Sequence, residues 1–468
     1  MTETTLTIKS PRDNSYINTV NINSIDELNI KVLKAKLAFD NWSKKTHRER
    51  SQVFYKYRQL LQENIEELSL LIQRENGKTF PEAQAEIEKA IEVTEFACSI
   101  PQICTDKSLE VSKGIHCRIS KKPIGVVASI TPFNFPSMVP HWTIPIALSV
   151  GNCMILKPSE KVPLSALKTA ELLEKAGLPE GVFQVVLGRK EMVEAICDHP
   201  DIKAISFVGS TKIAKVVYER AAKSHKRVLC LGGAKNHILV LPDANKEMTA
   251  NNIAASMSGC AGQRCMAASV MVGVGNVDSI VDGIVDEAKK IIPGENLGAI
   301  ISKESKQRIE DYITQAETQG AKIILDGRNI TVKDKEEGFY VGPTVIDNVT
   351  KDMPVAKEEI FGPVISIIRS ENIDEAIEIQ NSSNYANGAS VFTQNGKLTS
   401  YVTEKLNAGM VGVNIGVPVP REPFSFGGWD ESRFGAGDIT GESSINFWTQ
   451  EKKITTKWNP EDKKDWMS

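Results

Sequence analysis

IGVVASI, residues 124–130, is a short run of β-branched and small apolar residues closed by Thr131-Pro132. A run of this length suits a buried strand, but periodicity alone does not separate it from a piece of buried helix. The segments that follow decide. CMILKP (153–158) is followed by the helical VPLSALKTAELLEKAG (162–177), then come VFQVVLG (182–188) and AISFVGS (204–210), the last leading into TKIAKVVYERAAK (211–223). Short apolar runs alternating with amphipathic helices predict right-handed βαβ units and a parallel sheet covered on both faces. The fold class is therefore α/β.

The pattern changes on either side of this block. Before it, the first hundred residues read as helices. Ser24-Ile25-Asp26-Glu27 and Thr46-His47-Arg48-Glu49 match the S/T-x-x-E capping box, and Gly77 is placed to end a helix. PEAQAEIEKAIEVTEFA, from Pro81, reads as a further helix. SLEVSKGIHCRIS (108–120) alternates around Lys113-Gly114 as a hairpin does. A second alternating region runs from about Leu229 to Ile415, with strands HILVLPD, ASVMVGVG and PVISIIRS and a helix from Ser302 to Gly320. The tail INFWTQEKKITTKW, after Gly441, reads as a strand that must pair with something.

Bulk properties exclude several function classes. A chain of 468 residues is too long for a single core, so two or more domains are expected. Fifty-six basic and fifty-nine acidic residues leave a formal charge of −3 with no basic block, which argues against nucleic acid or anionic lipid as partner. No signal-peptide pattern and no bilayer-length apolar run is present, so a cytoplasmic location without membrane partners is expected. The eight cysteines contain no C-x-x-C pair, and none of the six histidines lies within twenty residues of Cys260 or Cys265. That spacing fits reduced thiols better than a disulfide framework or a metal site.

Four short motifs can carry chemistry, and each has an ordinary structural reading beside it. FVGST (207–211) lies between a strand and a helix, where exposed amides hold anions or merely form a turn. KPSE (157–160) follows a strand, where Lys157 and Glu160 can bind ribose hydroxyls or form a surface ion pair. TPFNFP (131–136) fixes Asn134 among apolar neighbours, as an oxyanion donor or a turn residue. In GQRCMA (262–267), Cys265 follows small residues and Arg264, as a reactive thiol or a buried inert one.

Taken in order, PFNFP, KPSE, FVGST, LGGAK, GQRC and KEEIFGP resemble the aldehyde dehydrogenase superfamily over nearly the whole chain. The resemblance implies a Rossmann-like NAD-binding domain (1–104 and 124–230), an α/β catalytic domain (231–441), and an oligomerisation arm and tail (105–123 and 442–468) that would build a homo-oligomer, dimer or tetramer. It implies Cys265 as the nucleophile and Asn134 as its oxyanion partner. For the cofactor it implies Thr131, Phe133, Lys157, Glu160, Gly209, Ser210, Glu359 and Phe361, and for the substrate Arg264, Lys89 and Asn414. Cys260 is expected to be a packing residue.

Departures from the pattern sharpen the expectation. Where hydrolytic members carry a glutamate base before LGG, this chain has Cys230, and a second family glutamate falls on Ile439. Without a base, water attacks a thioester slowly, whereas the coenzyme A thiol is intrinsically nucleophilic. LGGAKNH, RCMA, PFSF and FWTQEKKITTKW are similar to the CoA-acylating methylmalonate-semialdehyde dehydrogenase branch, which implies oxidation of a small semialdehyde to acyl-CoA, with possible loss of carbon dioxide. Two positions differ from that branch: Gln263 replaces its usual Glu, and Lys89 stands where it has a second carboxylate-binding Arg. The alternative is a hydrolytic enzyme recruiting Glu442 or Glu359 as base. From other classes, a thiol acyltransferase without nicotinamide would fail to bind NAD, and a non-catalytic descendant would have no need of Cys265 and Asn134.

Overall fold

The computed structural model describes residues 4–458. Its first sheet has six strands in the order Phe183–Val185, Cys153–Lys157, Val126–Ile130, Ile202–Val208, Arg227–Leu231 and Arg433–Gly435. The first five are parallel and Arg433–Gly435 closes the edge antiparallel. Every residue of Val126–Ile130 and Cys153–Lys157 is buried, as parallel strands covered on both faces require.

The second sheet has seven strands in the order Lys322–Leu325, Thr344–Asp347, Val364–Ser370, Ala268–Val274, Asn236–Val240, Gly388–Phe392 and Met410–Val413, all parallel except the first. Its strands divide their side chains by the two-residue repeat. Leu239, Val270, Val272 and Val364 enter one apolar cluster, while Ile238, Val240, Met271 and Ile365 enter another on the opposite face.

Helices precede the first sheet. Ile25–Trp42, His47–Glu63 and Phe80–Cys98 each begin with a complete capping box, at Ser24/Glu27, Thr46/Glu49 and Thr79/Glu82. Gly77 ends the intervening helix Ile65–Asn76 in the left-handed region. The helix expected at 302–320 spans Lys303–Thr318, with Ser302 as its cap.

Three expectations need correction. The first hundred residues are not all helical: Thr5–Lys9 and Tyr16–Asn21 pair as an antiparallel hairpin whose Leu6 and Ile8 are buried. Two inward residues are too short a pattern to stand out from a polar terminus. INF, at the start of the expected tail strand, lies in the helix Gly441–Phe447, and the strand begins at Thr449. The segment 231–441 also does not stay with the second sheet, because Arg433–Gly435 joins the first and Phe426 and Ile439 pack in its core.

The expected hairpin is Lys107–Ser112 with Ile115–Pro123, and Thr449–Lys457 pairs antiparallel along all of Ile115–Pro123. The tail expected from 442 onward is thus described as far as residue 458, and 459–468 lie outside the described residues.

Candidate active site

Val126–Ile130 sits inside the first sheet with the chain winding outward to either side of it. Ligands of such sheets bind beyond the carboxyl ends of the strands at this point of reversal. Three strands end there, at Thr131, at Lys157 and at Gly209-Ser210. Lys157 is buried and its Nζ lies 3.3 Å from the Glu160 carboxylate. Burial lowers the Lys157 pKa, while the Glu160 carboxyl, though burial opposes it, is held below its ordinary value by the Lys157 charge. Ser210 caps the helix Thr211–Lys223 without a side-chain bond of its own, and the buried Thr131 Oγ1 has no hydrogen-bond partner.

The amino-terminal edge of the second sheet faces this crevice with the Cys265 loop. The Asn236 amide opens one strand and donates from Nδ2 to the Cys265 carbonyl at 2.8 Å, and Asn387, just before Gly388, donates to the same oxygen at 3.1 Å. Cys260, Ala261 and Gly262 all adopt positive φ, which turns the loop sharply. Only glycine fits at 262, because a Cβ would stand 2.0 Å from the Gly362 carbonyl oxygen. The Cys260–Cys265 loop and the Glu359–Phe361 loop are thereby pressed together, and Phe361, itself at φ 57°, meets Phe133 edge-on with ring centroids 5.9 Å apart.

Asn134 joins the two halves. Its Nδ2 donates to the Gln263 carbonyl at 2.9 Å, two residues before Cys265, and leaves the second hydrogen of that NH2 for a ligand. The helix Phe80–Cys98 supports the junction along one face. The Glu82 carboxylate accepts from the Cys260 N–H and lies 3.7 Å from Arg264. Glu86 accepts from the N–H groups of Ser137 and Met138 and pairs at 2.6 Å with Lys78. Lys78 in turn donates to the Asn134 carbonyl at 2.9 Å.

The remaining expected residues are placed as follows. Arg264 fits against Gly259, where a Cβ would overlap its guanidinium, and its buried Nε has no partner. Lys89 lies one turn beyond Glu86 and is bonded to Glu422 and Glu92. Asn414 is engaged elsewhere, with both ends of its amide bonded to the Thr393 backbone. Cys260 is buried and free.

Electrostatics set the resting state of the Cys265 thiol. Burial, followed by the nearby Glu359 charge, pushes the Cys265 thiol up to about 12. Burial raises Glu359 to about 7, and its carboxylate accepts from the Ala234 N–H at 3.0 Å. The next residue, Lys235, is wholly buried with an unpartnered Nζ, and burial lowers it to about 7. Cys230 is fully buried beside Phe434, and burial raises its thiol far above the ordinary value, so it stays neutral. Ile439 is buried and apolar.

The aldehyde dehydrogenase family model matches residues 1–454. The chain belongs to the aldehyde dehydrogenase family. It is 43% identical over 96% of its length to a malonate-semialdehyde dehydrogenase of Halalkalibacterium halodurans, covering 94% of that protein. An equal identity links it to malonate-semialdehyde dehydrogenase 2 of Geobacillus kaustophilus, over 96% of this chain and 95% of the relative. A Sinorhizobium meliloti protein assigned as methylmalonate-semialdehyde dehydrogenase, solved with NAD, superposes with a TM-score of 0.96 at 40% identity, over 99% of this chain and 96% of that one.

Several residues of this aldehyde dehydrogenase site escape a reading of the sequence. Asn236 and Asn387 look like loop residues until the parallel register brings both strand starts under Cys265. Lys78, Glu82 and Glu86 look like helix-surface charges, although the spacing of 82, 86 and 89 on one helical face was a signal that they share a neighbour. Among the described residues no cluster of His, Cys, Asp and Glu is arranged to hold a metal ion, and no helix is long and apolar enough to cross a membrane.

Proposed function

We propose that this aldehyde dehydrogenase oxidises a small semialdehyde of the malonate or methylmalonate type with NAD, through a thioester on Cys265 that coenzyme A releases as acyl-CoA. The crevice residues suit a dinucleotide. Gly209-Ser210 at the start of the 13-residue helix Thr211–Lys223 suits a pyrophosphate, and Lys157 with Glu160 suits ribose hydroxyls. The unpartnered hydroxyl of Thr131 leaves a buried polar atom for a ligand, and Phe133, Glu359 and Phe361 close the opposite side. Bound there, NAD supplies the hydride acceptor.

The chain's own residues do the rest. Cys265 Sγ attacks the aldehyde carbon, and the free Asn134 hydrogen with the Cys265 N–H receives the oxyanion. Asn236 and Asn387, by fixing the Cys265 carbonyl, orient that N–H. The unpartnered Nε of Arg264 suits an anionic group on the substrate, with Lys89 next along the helix. A β-carboxylate on the resulting thioester can leave as carbon dioxide, since the thioester delocalises the enolate left behind.

One observation carries the choice of acyl acceptor. The position before Leu231-Gly232-Gly233 holds a buried, neutral thiol, and Ile439 adds no carboxylate, so neither place offers a base to activate water. The assay is NADH formation from NAD and malonate semialdehyde with and without coenzyme A. Turnover that requires coenzyme A and yields an acyl-CoA is expected, and steady release of free acid without it would overturn the reading. The hydrolytic alternative has one observation in its favour: Glu359, near Cys265 with a pKa of about 7, is in the range of a general base.

The arm supports a homo-oligomer, dimer or tetramer. Its outer strand Lys107–Ser112 is exposed along its whole length, with Leu109 and Val111 among the exposed apolar side chains. Eight free cysteines suit a reducing, cytoplasmic setting.

A further inference from the structure

Gln263, two residues before Cys265, is buried and uses both ends of its side-chain amide. Nε2 donates to the Ala299 carbonyl at 3.1 Å and to the Cys260 carbonyl at 3.3 Å, and Oε1 accepts from the Ile301 N–H at 3.0 Å. Two carbonyls on one side and an N–H on the other fix which way the amide points. The main-chain carbonyl of the same residue receives Asn134 Nδ2 at 2.9 Å. These bonds close a ring of four segments. Ala299 donates its N–H to the Gly77 carbonyl at 2.9 Å, Asn76 donates to the Phe133 carbonyl at 2.8 Å, and Lys78 donates to the Asn134 carbonyl at 2.9 Å. Gly298 lets two of the segments touch, since a Cβ there would stand 2.7 Å from both the Gly77 carbonyl oxygen and Lys78 Cα.

We propose that Gln263 is a positioning residue for the oxyanion: its side chain anchors the carbonyl that takes one hydrogen of the Asn134 NH2, and so sets the direction of the other. This rests on the reading of Cys265 and Asn134 given above. With the Asn134 backbone held by Lys78 and one amide hydrogen held by Gln263, the plane of the amide is set and the second hydrogen has one direction left. A donor aimed in advance at developing charge stabilises it without reorganising. Glutamate, the usual residue of the resembled branch, supplies a hydrogen only as the neutral acid and only to one of the two carbonyls. The Gln263 side chain acts through Asn134 and so positions rather than catalyses.

The test is the burst of NADH formed in a single turnover when enzyme and NAD meet malonate semialdehyde without coenzyme A, followed by stopped flow in the full-length enzyme, Gln263→Met, Asn134→Ala and the double variant. Removing an oxyanion donor costs about 10²–10³ in rate and a misdirected donor loses part of that, so Gln263→Met should slow the burst about tenfold. In the Asn134→Ala background the same substitution should change the burst by no more than about twofold, because the group it positions is gone. Iodoacetamide labelling of Cys265, which forms no oxyanion, should keep its parent rate in Gln263→Met. Because unpairing two buried carbonyls can disturb folding, Gln263→Glu gives a second reading: buried and neutral, its carboxyl restores one donation and should slow the burst less. A parent-like burst in Gln263→Met, losses that multiply in the double variant, or labelling that falls together with the burst overturns the proposal. A parent-like burst in Asn134→Ala overturns the reading of Asn134 on which the proposal rests, whereas steady turnover without coenzyme A overturns the acyl-CoA reading while the burst still reports on Gln263.

Discussion

At the scale of the residue, Cys265 rests as a neutral thiol because burial and the Glu359 carboxylate both disfavour the thiolate. The second influence can be removed. Burial brings Glu359 to about 7, so its charge appears as the pH rises through that value. Glu359→Gln should therefore speed iodoacetamide labelling of Cys265 about threefold at pH 8.5, read by peptide mass spectrometry, and make no difference below pH 6, where the parent carboxyl is already protonated. Slower labelling in the variant at pH 8.5 would show that the carboxylate assists ionisation of the thiol. Cys265, Asn134 and the four motifs were legible in the sequence because each is a local string. Lys235 was not, since its isolation depends on which distant side chains fail to reach it.

At the scale of the element, the helix Phe80–Cys98 acts as a strut between the Cys260–Cys265 loop and the Asn134–Met138 loop. The pair between its Glu86 and Lys78, which lies just before it, is almost wholly enclosed, at 0% and 1% exposure. Cutting one partner leaves an uncompensated charge, which costs about 3–5 kcal/mol. Lys78→Met should lower the unfolding free energy by that amount in denaturant titration and reduce kcat more than it raises KM, because the Asn134 backbone loses its anchor. An unchanged kcat would mean that the loop holds itself. The sequence announced this helix from Pro81 onward, while what its charges hold became plain only through the fold. The N-terminal hairpin went unread for a related reason: its pairing partner supplies the order that two buried side chains cannot.

At the scale of the whole molecule, chemistry is assembled from opposed sheet edges, the carboxyl ends of one and the amino ends of the other. The alternation of strand and helix was enough to give both sheets. It did not reveal that Arg433–Gly435 would return to the first, because a three-residue antiparallel edge leaves no period to detect. The exposed strand Lys107–Ser112 ends the arm with open backbone groups, which a second copy of the chain can cover. Leu109→Lys combined with Val111→Lys should shift the mass measured by light scattering toward the monomer, and an unchanged mass would place the subunit contact elsewhere.

The arm also dictates a timetable. The bond from Lys121 to Asn446 spans 325 residues, and Thr449–Lys457 supplies every partner of Ile115–Pro123 on that side. A ribosome adding roughly 5–20 residues per second needs about 15 s to a minute to cover that interval. Throughout it the nascent hairpin carries two unsatisfied edges. The arm is therefore complete only after synthesis has passed the last strand, and the emerging hairpin is the place where a chaperone would be needed.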